Sequence, residues 1–295
     1  MARKSVSSSA NGNGNGHLPT TAQTSSEGLQ ASNHIPGTTR QPNEDGFDWS
    51  RPSFQRRALP FDPSLLPHGR RSLSSIALQS FTLGLTLAAC TLNTAYLLFA
   101  RSTLWRLPAF FACLSLFHFL EFWTTARFNA PQARASSFLL WSNGVAYNVA
   151  HTLATVEIIA SAFIPWYQQS FVNAYTIALG VGLVALGQSV RTLAMAQAGT
   201  NFNHTPAKTK EEGHVLVTEG VYRWLRHPSY FGFFWWAFGT QVLVGNKVCV
   251  VGYLMTLWMF FWKRIRAEEI TLVDFFGEDY ELYRKRTGTG IPLIR

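Results

Sequence analysis

The sequence predicts an all-α fold: a polytopic integral membrane bundle of about six transmembrane helices. Three observations carry this. Of 295 residues, 47% are apolar and only 14% charged, against roughly 25% charged in a soluble domain. Aromatics are abundant, with Phe at 23 copies and Trp at 10. Beyond residue 72 the apolar residues gather into runs near or above the roughly 20 residues that cross a hydrocarbon layer. This composition excludes a disordered chain, a collagen and a coiled coil.

Residues 1–70 hold Ser runs, the repeat Asn11-Gly12-Asn13-Gly14-Asn15-Gly16 and scattered Pro. They offer too little apolar surface to offset ordering entropy, and are expected to form a disordered cytosolic tail. Arg3 and Lys4 are followed by polar residues rather than an apolar core, so no secretory signal peptide is read here. The first apolar run is then both targeting signal and span.

The apolar runs lie at 73–100, 107–126, 138–164, 171–195, 229–245 and 247–263. The first four are long enough to span, and 71–198 is read as transmembrane helices one to four. The last two are 17 residues each, joined by Gly245-Asn246, and read as a tight helical hairpin. That hairpin lies within the last region, 199–295.

Net charge is +9. Lys and Arg cluster beside apolar runs, which favours topology setting and anionic lipid over nucleic acid. With a cytosolic N-tail, the loops at 127–137 and 196–228 and the C-tail are cytosolic too. They carry Arg127, Arg134, Lys208, Lys210, Arg223, Arg226 and the dense set from Arg264 to Arg295. Arg101 and Arg106 stand against this bias. The sequon Asn203-His204-Thr205 is then cytosolic and unused.

Cys90, Cys113 and Cys249 lie scattered in apolar runs and read as small hydrophobes. His204, His214 and His227 lack partners at metal-ligand spacing, so no metal is inferred. Gly180-Val181-Gly182-Leu183-Val184-Ala185 fits a dinucleotide pattern only in letters. It sits inside an apolar run, where small residues serve close helix packing.

Chemistry concentrates where polar groups meet spans. Arg264 and Glu268 are one turn apart if the last helix continues beyond the membrane. An Arg there can clamp a carboxylate with two prongs, and the Glu can hold a cation or hydroxyls. An ordinary surface ion pair fits the same spacing. Pro228 makes His227 extended and can open a helix with free N–H groups. His227 and Tyr230 then offer directional hydrogen bonds, unless Tyr230 only anchors the span at the interface. Within the spans, Glu121 and Glu157 are the carboxylates, with His118 on the face of Glu121. Interhelical hydrogen bonding explains them as well as function does. Arg191 is expected to snorkel.

The last third resembles the isoprenylcysteine carboxyl methyltransferases. The matching residues are Asn201-Phe202-Asn203-His204, then His214-Val215-Leu216-Val217-Thr218 with Gly220-Val221-Tyr222, and Arg226-His227-Pro228-Ser229-Tyr230. Gly239-Thr240-Gln241, Glu268-Glu269, Phe275-Phe276-Gly277-Glu278-Asp279-Tyr280 and Gly290-Ile291-Pro292 follow. Upstream, Phe117-His118 and Glu121-Phe122 are also similar. The likeness covers roughly 113 to 295 and is strongest from 199.

The resemblance implies a methyl esterification of the C-terminal S-prenylcysteine carboxylate, with S-adenosylmethionine as donor. It implies a cytosolic C-terminal cofactor-binding region in which His214, Val215, Leu216, Val217, Tyr222, His227, Pro228, Ser229, Tyr230 and Glu268 contact the cofactor. By the same resemblance, Arg264 is expected to contact the substrate carboxylate and, with Glu268, to be catalytic. Ala207 stands where relatives often carry a polar side chain. The implied partners are prenylated, CAAX-processed proteins such as Ras/Rho-like GTPases and lipopeptide pheromones. The implied location is the endoplasmic reticulum membrane, with six spans as in fungal members. A sterol-reductase-like enzyme using NADPH shares a similar C-terminal half, and a non-catalytic membrane scaffold could share the fold.

Overall fold

A computed structural model describes residues 62–295, apart from 165, 168–170, 206–208 and 211–212. The expectations for the tail before residue 62 and for Ala207 lie outside the described residues. The elements are α1 (Leu73–Phe99), α2 (Arg106–Phe128), α3 (Val145–Ala162), α4 (Ala174–Ala198), α5 (Pro228–Val244), α6 (Lys247–Phe276) and α7 (Glu278–Arg286). Short 3-10 turns join them. Among the described residues there is no strand; one isolated bridge pairs Leu225 with Gly288.

Among the described residues, four helical segments are long and apolar enough to cross a membrane: Leu73–Phe99, Thr103–Phe128, Ala174–Asn201 and Lys247–Phe276. The expected six rest also on α3 and α5, at 18 and 17 residues. Large apolar side chains face outward along the helices, among them Phe81, Leu85 and Leu92 on α1 and Val251, Met255 and Met259 on α6. In water such surface would be costly; against lipid tails it is not.

Two boundaries differ from the sequence reading. The third apolar run begins at 138, yet α3 starts at Val145. Ser137 Oγ accepts from Arg134 N, Ser142 Oγ donates to the Ser136 carbonyl, and Gly144 sits at φ 85°. These local bonds compete with the helix ladder and hold a turn. The last run ends at 263, but α6 continues to Phe276, where Gly277 at φ 56° stops it.

The helix ends gather at two poles. At one, Asn129 Nδ2 donates to the Phe202 carbonyl, Ala135 N to Arg70 O, and Arg226 N to Gly288 O. At the other, Arg106 is buried rather than exposed. Its guanidinium donates to the carbonyls of Thr103, Ile158 and Val244 and to Ser161 Oγ. It therefore places a cation at the C-terminal ends of α3 and α5, where the helix dipoles favour one. Glu157 does the converse for α6. It accepts from Val248 N at 2.8 Å and Cys249 N at 2.7 Å, and Tyr167 also donates to it. The two side chains serve as helix caps.

α4 and α5 run antiparallel in very close approach. An added Cβ at Gly180 would lie 2.5 Å from Leu243, and at Gly187 2.4 Å from Trp236 N. From the other side, Gly232 faces Arg191 N and Gly239 faces Leu183. Each helix thus presents two glycines seven residues apart, on one face, so the backbones meet without side chains between them. Gly182 is outside this contact. The core beside it contains Phe110, Phe117, Ile158, Trp236 and Tyr253. A second cluster joins Phe234, Phe261 and Ile265 to Ile291 and Ile294 of the C-terminal segment.

Candidate active site

The start of α5 is set by Pro228 at its first position, with His227 at φ −125°, ψ 60°, outside the helical region that a following proline disfavours. Across from it runs α6, carrying Arg264, Glu268 and Glu269. Between them, at the pole of the α6 C-terminus, lies a cleft enclosing about 160 Å³. Its wall includes His214, Val215, Leu216, Val217, Tyr222, His227, Pro228, Ser229, Tyr230 and Glu268. All the residues expected at the cofactor therefore come together. Arg264 is not on this wall.

The cleft is held from outside. Val215 N donates to Asn201 Oδ1, Val221 N to Gln197 Oε1, and Tyr222 Oη to the Ala194 carbonyl. Tyr283 Oη donates to Tyr222 O. Burial pushes the Tyr222 phenol well above its usual range, so it stays a neutral donor at neutral pH. The Tyr283 phenol is likewise pushed up by burial, to about 12.

Glu268 and Glu269 are neighbours with separate work, because successive helical residues point about 100° apart. Glu269 is buried and holds Arg226 at 2.5 Å, with Arg284 at 3.7 Å. Arg226 also donates to the Thr287 carbonyl. This clasp ties the His-Pro-Ser-Tyr turn to α6 and to the segment after α7. His227 Nε2 lies 3.4 Å from Glu269 Oε1 without hydrogen-bond alignment. Glu268 instead faces the cleft and accepts from Tyr230 Oη at 2.5 Å.

Arg264 and Glu268 form no ion pair. Arg264 Nε donates to Tyr230 Oη at 2.9 Å, and Nη2 donates to the His204 carbonyl. The guanidinium lies 5.4 Å from the Tyr230 ring centre and 5.7 Å from that of Phe260. No carboxylate lies within 4 Å of it among the described residues. Its two protein acceptors are neutral, so its charge is left available.

Arg191 does not snorkel. It is buried, and forks onto Glu121 through Nε–Oε1 at 2.5 Å and Nη2–Oε2 at 2.7 Å. Its Nη1 donates to Ser229 Oγ at 2.9 Å. Ser229 lines the cleft with that oxygen already accepting, so its O–H remains to donate. The Arg191 pair lies behind the cleft wall and was not legible locally, because its partners are 70 and 38 residues away. Tyr280, Phe275 and Phe276 also line the cleft. Only the motif Phe275 to Tyr280 hinted at them.

The cleft's chemistry suits a nucleoside with a cationic arm. Glu268 can accept from hydroxyls or an ammonium, and its carboxylate offers a counter-charge to a cation. Two buried polar atoms at the cleft, Tyr280 Oη and His227 Nε2, have no hydrogen-bond partner among the described residues. Such atoms ordinarily have one.

Residues 179–274 match the family model described as isoprenylcysteine carboxyl methyltransferase. A Saccharomyces cerevisiae protein-S-isoprenylcysteine O-methyltransferase is 41% identical over 229 residues, covering 76% of this chain and 93% of the relative. This chain belongs to the isoprenylcysteine carboxyl methyltransferase family. The Schizosaccharomyces pombe enzyme of the same name is 40% identical over 232 residues, covering 75% and 98%. A solved structure of a eukaryotic intramembrane Ras methyltransferase of this family is similar at 35% identity. Its TM-score is 0.67, over 75% of this chain and 77% of that one.

Proposed function

We propose that this chain methylates the C-terminal carboxylate of S-prenylated cysteine, with S-adenosylmethionine as the donor. The observation that carries the reading is Arg264: a cation unpaired by any carboxylate among the described residues, one turn from Glu268 and adjoining the cleft. S-adenosylmethionine, when bound, supplies an electrophilic methyl group on a sulfonium. Glu268, Tyr222, His227, Tyr230 and the segment His214–Val217 would hold it, with Pro228 and Ser229 shaping the floor.

No general base is required of the protein. A C-terminal carboxylate has an ordinary pKa near 3.5 and is ionised at neutral pH. What the chain must do is strip its water and align it. Arg264 replaces lost hydration with two directed N–H donors. Tyr230 fixes the angle of that fork while keeping Glu268 on the cleft side. An apolar perimeter lets a prenyl chain stay in lipid, at about 0.8 kcal/mol per buried CH₂.

We further read the bundle as six crossings. The alternation of helix ends between two poles supports this, as do the lengths of α3 and α5, about 27 and about 25 Å. The basic C-terminal region favours a cytosolic cleft. The proposed site is the endoplasmic reticulum membrane, with residues 71–198 as frame and 199–295 as catalytic region. The proposed acceptors are CAAX-processed proteins, including Ras/Rho-like GTPases and lipopeptide pheromones.

Membranes bearing the chain, given radiolabelled S-adenosylmethionine and N-acetyl-S-farnesylcysteine, should form a base-labile ester. An acceptor without the prenyl group should not be labelled. Equal labelling of both, or of neither by folded protein, would overturn the reading.

A further inference from the structure

Of the arginines near the cleft, Arg191 and Arg226 are each paired with a glutamate, whereas Arg264, like Arg106 at the other pole, is held by neutral oxygens. One of those oxygens is the main-chain carbonyl of His204. The His204 ring stands edge-on to Phe202, with centres 5.2 Å apart at 88°. Its Nδ1 lies 3.7 Å from Glu121 Oε2, the oxygen that Arg191 Nη2 also holds. Its Nε2 is buried with no hydrogen-bond partner among the described residues. A histidine retained only for folding would normally satisfy both ring nitrogens. This one is placed, through its ring, against a rigid ion pair, and through its backbone against Arg264.

We propose that His204 is a positioning residue for Arg264. The Glu121–Arg191 pair fixes the ring, the ring fixes the turn after α4, and the turn's carbonyl aims the guanidinium at the acceptor carboxylate. The field of the Glu121 carboxylate on Nδ1, at 3.7 Å and so longer than a hydrogen bond, is what orients the ring, beyond its volume. The inference rests on the reading of Arg264 as the acceptor-binding residue.

The test compares the full chain in nanodiscs with His204→Phe and His204→Asn. Phe keeps a ring but no nitrogen; Asn puts an amide nitrogen where Nδ1 stands. His204→Phe should raise KM for the farnesylcysteine acceptor about tenfold, with donor KM within about twofold and thermal midpoint unchanged. His204→Asn should restore most of the acceptor KM. An unchanged acceptor KM in His204→Phe, or equal rises in both KM values, overturns the proposal. If His204→Phe does not fold, His204→Gln replaces it. Its amide overshoots Nδ1 by one bond, so it should raise the acceptor KM where His204→Asn does not, and equal behaviour overturns the proposal. Absence of prenyl-dependent labelling by the unaltered chain would instead remove the reading beneath it.

Discussion

Arg264 and Glu268 share a face of α6 one turn apart, and the Tyr230 hydroxyl stands between them. It accepts from Arg264 Nε and donates to Glu268. A direct pair would have neutralised both. The bridge keeps a positive group on one side and a carboxylate on the other, each with capacity left for a ligand.

Arg264→Ala should cut kcat/KM for the prenylated acceptor by about two orders of magnitude, as loss of a charge-assisted fork does. Donor affinity, read by titration in detergent, should change by less than about threefold. Arg264→Lys should rescue little, because an ammonium lacks the planar fork. Equal loss of donor affinity would contradict the assigned role.

Glu268→Gln should act on the other ligand. Hydrogen bonds to a charged group contribute about 1.5–3 kcal/mol, so donor Kd should rise about tenfold or more. Calorimetric titration reads this directly, and unaltered Kd would remove Glu268 from the donor site.

Glu121→Gln leaves the Arg191 charge buried and unpaired. The cost of breaking one side of a buried pair is about 3–5 kcal/mol, visible as a lowered thermal midpoint. Joint replacement of both residues by Met should recover much of that stability. If the double variant is no better than the single, the pair's role is not electrostatic.

Stability should fall on mild acidification through His204. Burial holds its imidazole below its ordinary value of 6.5, with Arg191 and Arg264 acting in the same direction and Glu121 against. The folded state thus binds fewer protons than the unfolded one, so stability is full above 6.5 and declines as pH falls below it. Thermal midpoints between pH 7.5 and 5 should fall less steeply in His204→Asn than in the unaltered chain.

Much of this was legible in the sequence. Apolar runs located the long helices, because lipid imposes a length that composition reveals. Pro228 announced the start of α5 by a local steric rule. The cleft residues were named by their motif and come together as one wall. What could not be read was long-range pairing. Arg106 and Arg191 look like interfacial charges until the helices that present their acceptors are placed. The start of α3 was missed because serine turn bonds, invisible to hydropathy, outcompeted the helix at 138–144.

α6 is one unbroken rod of 30 residues, about 45 Å long. Its first turn is pinned by Glu157 at one pole, and its last turns carry Arg264 and Glu268 at the other. A helix of that length answers bilayer thickness by tilting. Because Glu269 also clasps Arg226 at that other pole, tilt loads the contacts there, among them the one between Arg264 and Tyr230. The thickness of the host membrane thereby becomes a variable of the reaction, and turnover should follow acyl-chain length in reconstituted bilayers.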